Sequence, residues 1–575
     1  MGGIVAVIDL SGADPGKGSA LAISEPEAHR GIPSAFDGPG ISLIARSWIH
    51  EEHPLAVEDG VAVAVHGYLF GPEHPASAQR LLSRYLEAGE GAFSEIDGEF
   101  AFVAWDGRSG HLYLGRDSFG TKPLFRSRTG HRIIAATEAR QALRARPGGQ
   151  QLEYDHLRML LDAGTAPERP WETVIRGIHR VLPGQVQKIS TTGEAFWQPW
   201  EPPRHIDESL TPETVSRLIP EVLRRSVRRR RLNRPAFLMS GGLDSTYVAA
   251  TSVSDPELRV RFGPKPTALT HVAPGHPVDE TERSRQVARH LGLRHITYEV
   301  SCDDLGAEIR RLLRFCDHPL GLPGPGVLPP LEIGAREGIG TFVGGIGGDS
   351  FWHFTETQIS PWDLPLAAGI AHSARRLLTA LHHGPRWALR ALGAIVADRR
   401  RGRGNYSTWT WARRERMLVE FCHGIYEGRE QAAARFGITY SEPFLDREMA
   451  ELAFRTHPRH LQRPKDRKRL LAVAARGLLP PSFVESWCPV HYSGFLARAM
   501  GAQTNLLFAY PRFLDENSLR HASDFVADDS IDAYWGEQGR FLRFLALAIW
   551  LEMRGVEGAQ RSMAPSATAS TAGGA

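Results

Sequence analysis

The residues best suited to chemistry form two short glycine-rich stretches. The first is Ser240-Gly241-Gly242-Leu243-Asp244-Ser245-Thr246. Paired glycines let backbone N–H groups approach an anion without Cβ clashes. A helix opening directly afterwards adds the positive end of its dipole. Ser240, Ser245 and Thr246 supply hydroxyl donors. An acidic side chain beside phosphates needs an intervening cation, so Asp244 is expected to hold Mg²⁺. The spacing is not that of the Gly-x-x-x-x-Gly-Lys-Ser/Thr loop. The second stretch, Phe342-Val343-Gly344-Gly345-Ile346-Gly347-Gly348-Asp349, also follows a strand-like run. Gly347 is expected to contact the nucleotide and Asp349 to be a second carboxylate for the metal.

The surrounding sequence is patterned to position these loops. RPAFLMS reads as a short buried strand before the first, and STYVAATSV as the helix after it. TPETVSRLIPEVLRRSVRRRRL reads as a helix capped by Thr211. The runs ALTHVAP, HITYEV and GTFVGG alternate with helical patterns at 280–291 and 304–315, which predicts a parallel α/β sheet. Residues from about 365 to 480 read as helical. The first ~200 residues are strand-rich: 3–10, 60–66, 131–137, 185–191 and a hairpin through Asp106-Gly107 read as strands, with a helix at 78–88. QPWEPPRH at 198–205 reads as a linker and the tail from 561 as disordered. A 575-residue chain with 42% hydrophobic and 23% charged residues is a globular protein of more than one domain. A net charge of +3 gives no reason to invoke nucleic acid. Cys302, Cys316, Cys422 and Cys488 show no metal-ligand spacing, and the absence of a signal-like N-terminus or a long apolar run predicts a cytoplasmic protein without a membrane span.

The first loop resembles the pyrophosphate loop of N-type ATP pyrophosphatases. Together with GGIGGD, Pro443-Phe444-Leu445-Asp446, and Lys468 followed by RLLAVAARGLLP, it is similar to the synthetase domain of the asparagine synthetase-like family. His66-Gly67, DGEFAFVAWD and the run from Arg116 to Leu124 resemble that family's class II glutaminase domain. The resemblance implies an α+β, Ntn-type αββα glutaminase-like domain over 1–205. It implies an α/β PP-loop ATP pyrophosphatase (adenine nucleotide alpha hydrolase-like) synthetase domain over 206–560, then a tail over 561–575. It further implies ATP and Mg²⁺ as cofactors and Lys468 as a catalytic residue stabilising charge.

Departures from the family shape the functional expectation. The glutaminase nucleophile, a Cys after the initiator Met, is replaced by Gly2, and the Asn-Gly element by His66-Gly67. The domain is therefore expected to be inactive, with the amine supplied by the substrate. Two groups of relatives work this way: β-lactam-type synthetases and lasso peptide cyclases. The former place a Tyr at the position of Ile346, paired with a Glu that an ungapped count puts at Glu427. Glu427 is thus expected to be a catalytic base. GREQAAARFGITYSEPFLDREM resembles actinobacterial lasso cyclases. That resemblance implies an ATP-dependent ligase closing a macrolactam between an Asp or Glu side chain and the N-terminal amine of a leader-free core peptide. A leader-binding protein and a leader peptidase are the implied partners. Another amide ligase, or a non-catalytic peptide-binding relic, stays open beside it.

Other residues carry weaker expectations. Lys465 competes with Lys468 for the lysine role, and His318 is an alternative base. Asp317 is expected either to shape the substrate pocket or to serve a turn. Asp279-Glu280 reads as a helix cap. The run RRSVRRRRLNR reads as a solvated face or a patch for an acidic partner. The segment ESWCPVHYSG lacks the basic element that relatives carry there.

Overall fold

The computed structural model describes residues 3–24, 31–47, 53–72, 76–144, 169–272, 279–299, 305–317, 326–352, 425–461 and 468–486, with shorter pieces elsewhere. Lys465, His318, Gly2, the ESWCPVHYSG segment beyond Ser486 and the tail lie outside the described residues.

The N-terminal half is two packed antiparallel sheets. The first has the order β10-β8-β9-β1-β3-β2 and the second β12-β11-β7-β6-β5-β4. Their strands are β1 Gly3–Asp9, β2 Ile32–Gly38, β3 Ile41–Ser47, β4 Leu55–Glu58, β5 Val61–Leu69, β6 Gly98–Asp106, β7 His111–Arg116, β8 Phe125–Thr129, β9 Arg132–Ala136, β10 Ile178–Arg180, β11 Val186–Ile189 and β12 Glu194–Trp197. In β1, Ile4, Ala6 and Ile8 enter the core between the sheets, whereas Val5 and Val7 enter the outer core. Both faces are covered, which is why the strand reads as an unbroken apolar run. The helix Ser77–Ala88 covers the outer face of the second sheet through Leu81, Leu82 and Tyr85. Leu545, Ile549 and Trp550, far along the chain, pack into the outer core of the first sheet.

The second half is built on a five-stranded sheet in the order β15-β14-β13-β16-β17, parallel throughout. These strands are β13 Pro235–Leu238, β14 Thr267–Val272, β15 Arg294–Glu299, β16 Thr341–Val343 and β17 Thr439–Ser441. β17 corrects the expectation of continuous helix from 365 to 480. Gly437, at φ +67°, ends the helix Ile425–Arg435, and Thr439–Ser441 then pairs with the free edge of β16. The helix Pro212–Arg228 starts where Thr211 accepts the Thr214 N–H at 3.2 Å. Among the described residues no helix is long and apolar enough to cross a membrane.

The halves meet through buried apolar and polar contacts. Phe119 contributes an edge-on contact to Phe351, with ring centres 6.1 Å apart. Ion pairs from Arg116 and Arg180 to Glu427 and from Arg230 to Glu99 also cross between the halves, as does a hydrogen bond between His66 and Glu430.

Candidate active site

β13 sits centrally, with β14 on one side and β16 on the other. In an open α/β sheet this crevice, beyond the carboxyl ends of diverging strands, is where ligands bind. Both glycine-rich stretches emerge there. Gly241 has φ +89°, and a Cβ on it would lie 2.6 Å from Glu280 Cβ. Ser240 is exposed at the mouth, and its hydroxyl accepts the Gly242 N–H at 3.1 Å. Ser245 Oγ accepts the Ser240 N–H at 3.1 Å and so shapes the loop from within.

The second stretch is pressed against the first. A Cβ on Gly345 would stand 2.4 Å from the Ser245 nitrogen, and one on Gly348 2.3 Å from Asp244 Cγ. Contacts that close exclude any side chain, so these glycines are set by proximity as much as by turn geometry. The consequence is that Asp349 arrives beside Asp244. Lys468 completes the group: its ammonium lies 2.5 Å from Asp244 Oδ2 and 2.7 Å from Asp349 Oδ1. Burial disfavours its charge, but Asp244 and then Asp349 outweigh that and hold its pKa above the usual lysine value. Lys468 also has φ +55°, in the left-handed region, at the start of the helix Arg469–Ala474. A strained non-glycine backbone at such a point is a mark of a functional position.

Ser240, Gly241, Gly242, Asp244, Ser245, Asp349 and Lys468 are therefore brought together. Two expected contacts are not. Thr246 is fully enclosed by protein, so its hydroxyl does not reach the mouth. Gly347 is buried, at φ +97°, where a Cβ would meet Leu445 Cδ2 at 2.7 Å. It serves the turn rather than an open ligand face. Pro443 to Asp446 is likewise structural: Phe444 and Leu445 are core residues, while Asp446 caps the helix Arg447–Arg455 and pairs with Arg229 and Arg230.

Glu427 is the main correction. It is 3% exposed, and its carboxylate is held by Arg116 Nη1 at 3.3 Å and Arg180 Nε at 3.2 Å. A carboxylate enclosed by two guanidinium groups of the other half is an ion-pair anchor, not a base open to an amine. Asp317 is similarly committed, accepting from Arg140 and from Gln431 Nε2 at 3.0 Å. The arginine run is not simply a solvated face. Arg230 is fully buried and reaches Glu99 at 3.0 Å, while Arg225, Arg228 and Arg229 pair with Glu448, Asp255 and Asp446.

Three site-adjacent residues were given no part in the site by the linear pattern. Asp279 does cap, accepting the Thr281 N–H at 3.1 Å, but its neighbour Glu280 turns towards Gly241. Burial, opposed by Arg283, pushes the Glu280 carboxyl up to about 7. The others are Glu442 and Arg429, paired at 3.0 Å, with Glu442 Oε2 accepting the Ile346 N–H at 2.9 Å.

Among the described residues no cluster of three or more His, Cys, Asp or Glu could hold a metal. Asp244 and Asp349 alone would leave most positions of a magnesium ion to phosphate oxygens and water, which suits that ion. The cradle of Gly241, Gly242 and Ser240, with the Lys468 ammonium on the neighbouring Asp244, fits a polyphosphate.

Fold and site together define a glutamine amidotransferase-like domain joined to a PP-loop, ATP-utilising domain of the asparagine-synthetase type. Family models agree: residues 218–539 match asparagine synthase and residues 76–200 match the glutamine amidotransferase domain. The chain belongs to the asparagine synthase family. It is 29% identical over 282 residues to a putative glutamine-hydrolyzing asparagine synthetase of Mycobacterium tuberculosis, covering 47% of this chain and 41% of that protein. It is 22% identical over 291 residues to asparagine synthetase 1 of Bacillus subtilis, covering 50% and 44%. Against the amidase chyE of Penicillium rubens the identity is 27% over 290 residues, covering 48% and 42%. The chain thus spans less than half the length of these curated relatives. Among solved structures, the allosteric regulatory enzyme of purine biosynthesis matches at 11% identity and TM-score 0.24, over 52% of this chain and 80% of that one. A likeness that slight carries no argument.

Proposed function

We propose that the chain is an ATP-dependent amide-bond-forming ligase that takes its amine from the substrate and not from glutamine. The observation that carries this is Lys468 bridging Asp244 and Asp349 over the Ser240–Ser245 loop. That constellation is retained, while the half that would release ammonia contains no cysteine before Cys302. His66, at the position of the family's Asn, is turned to Glu430 at 3.1 Å.

ATP is a substrate here. Its phosphates would lie against Ser240, Gly241 and Gly242, with Lys468 offsetting their charge. A magnesium ion held by Asp244 and Asp349 would neutralise further phosphate charge. A substrate carboxylate oxygen attacks the α-phosphorus, and pyrophosphate leaves. The substrate amine then attacks the activated carbonyl carbon, and AMP leaves as the amide forms. Enclosure of both groups of one molecule raises the effective molarity of the amine, on the order of 10⁵ M or more for an aligned pair.

The finer reading is a lasso peptide cyclase, which joins an Asp or Glu side chain of a leader-free core peptide to its N-terminal amine. The likeness of the 428–449 segment to such cyclases supports it. The β-lactam-type alternative is weakened, because Ile346 offers no phenol and Glu427 is enclosed by Arg116 and Arg180. The test is to incubate the full chain with MgATP and leader-free peptides, with and without glutamine. The expected result is AMP, pyrophosphate and a peptide lighter by one water, unaffected by glutamine. Formation of glutamate, or amide formation that requires added ammonia, would overturn the reading.

A further inference from the structure

Glu442 directly precedes Pro443 and is 4% exposed. Its two carboxylate oxygens have different tasks. Oε2 accepts the backbone N–H of Ile346 at 2.9 Å, inside the second glycine-rich stretch. Oε1 accepts from Arg429 Nη1 at 3.0 Å. The Arg429 guanidinium is itself fixed, lying 3.9 Å from the centre of the Tyr440 ring. Tyr440 is on β17, and Arg429 is on the helix Ile425–Arg435.

The stretch 344–348 has almost no slack. On one side a Cβ on Gly344 would lie 2.4 Å from Glu442 Oε2, and on the other a Cβ on Gly348 would lie 2.3 Å from Asp244 Cγ. The strip of backbone is thus a spacer between the Glu442 carboxylate and the Asp244 carboxylate. Asp349 is carried at its end and meets Lys468 at 2.7 Å. Burial raises the pKa of Glu442, and Arg429 and the Ile346 N–H oppose this.

We propose that Glu442, held by Arg429, is a positioning residue for adenylation: it fixes the Gly344–Gly348 backbone and thereby sets Asp349 against Asp244 and Lys468. This rests on the ligase reading for the use of the site, but not for its test. Partners that orient a metal ligand typically contribute about 10- to 100-fold in metal affinity or activity. Glu442 acts one step back, through backbone, and belongs at the lower end of that range.

The experiment measures binding of an ATP analogue with a methylene group between the α and β phosphorus atoms, in the presence of Mg²⁺, by calorimetry on the full chain. Turnover is not needed. Glu442→Ala alone leaves Arg429 buried without its carboxylate and risks unfolding. The decisive variant is therefore Glu442→Leu combined with Arg429→Met, since replacing both members of a buried pair by apolar groups is often neutral for stability. The expected result is a melting temperature close to that of the unsubstituted chain, binding of the magnesium analogue weakened about tenfold, and half-saturation at a higher Mg²⁺ concentration. Unchanged binding and unchanged Mg²⁺ requirement in this folded variant would overturn the proposal. Failure of the ligase reading would show separately, as absence of turnover in the unsubstituted chain.

Discussion

Replacing Glu427 by Gln tests whether that residue is an anchor or a base. In the structure its Oε1 receives Arg116 Nη1 at 3.3 Å and Arg180 Nε at 3.2 Å, and its Oε2 receives Arg180 Nη2 at 3.3 Å. The side chains of Arg116 and Arg180 are 0% and 2% exposed. Carbonyl oxygens hold the rest of both guanidinium groups, including Gly120 and Val181 for Arg116 and Pro170 for Arg180. Neither arginine can swing out to water. A neutral amide at 427 therefore leaves two buried like charges side by side with no counter-charge from that position. Breaking a buried pair in this way costs about 3–5 kcal/mol. At about 2–4 °C per kcal/mol for domains of this size, the melting temperature should fall by roughly 10 °C. The assay is differential scanning calorimetry, combined with ATP–pyrophosphate exchange and product formation at 20 °C (roughly, any temperature well below melting). Exchange and product formation per folded molecule should change together and little. An unchanged melting temperature with product formation lost and exchange retained would refute the anchor and restore Glu427 as the base.

Asp244→Asn and Asp349→Asn should each abolish exchange; Asp349→Asn, at an exposed side chain, should leave melting nearly unchanged, whereas Asp244→Asn should also lower it by leaving the buried Lys468 ammonium without its nearer carboxylate; near-normal exchange in both would remove the metal assignment. Gly348→Ala should also abolish exchange, since its Cβ would press on Asp244 at 2.3 Å from Cγ; wild-type exchange in this variant would show that the two loops can separate. Glu280 gives a pH signature. Its pKa is raised from 4.5 to about 7, so the folded chain holds a proton that the unfolded chain releases, and its contribution to stability is full below pH 4.5 and lost as pH rises through 7. The whole loss is on the order of 3 kcal/mol. Melting curves of Glu280→Gln should exceed the unsubstituted chain at alkaline pH and converge with it at acid pH; parallel curves would contradict the assignment.

What the sequence made legible follows from how local each signal is. The Ser240–Thr246 loop was readable because strand, glycines and helix lie within one short stretch, and the geometry needs only those residues. β1 and β13 were readable as dense apolar runs. β17 was not, since three residues, Thr439–Ser441, carry too little pattern after a helix, and only the open edge of β16 makes them a strand. Glu427 shows the sharper limit. An ungapped count can place a carboxylate on a helix, but not reveal that Arg116 and Arg180 return from the other half to enclose it. The arginines of 225–230 looked like a solvated face for the same reason, their partners Glu99, Asp446 and Glu448 being distant in sequence. Asp279-Glu280 was half legible: Asp279 caps locally, whereas the raised pKa of Glu280 comes from its burial, against Gly241 across the crevice.

Under the ligase reading a substrate carboxylate oxygen attacks the α-phosphorus of ATP, and the carboxylate becomes an acyl-adenylate as pyrophosphate leaves. This step is tested most directly by a peptide whose Asp or Glu side-chain carboxylate carries heavy oxygen. The full chain is incubated with this peptide and MgATP without glutamine, and the products are analysed by mass spectrometry. The expected products are AMP with one heavy oxygen, pyrophosphate with none, and a peptide lighter by the elements of water. Heavy oxygen in inorganic phosphate, or a cyclised peptide with unlabelled AMP, would contradict it.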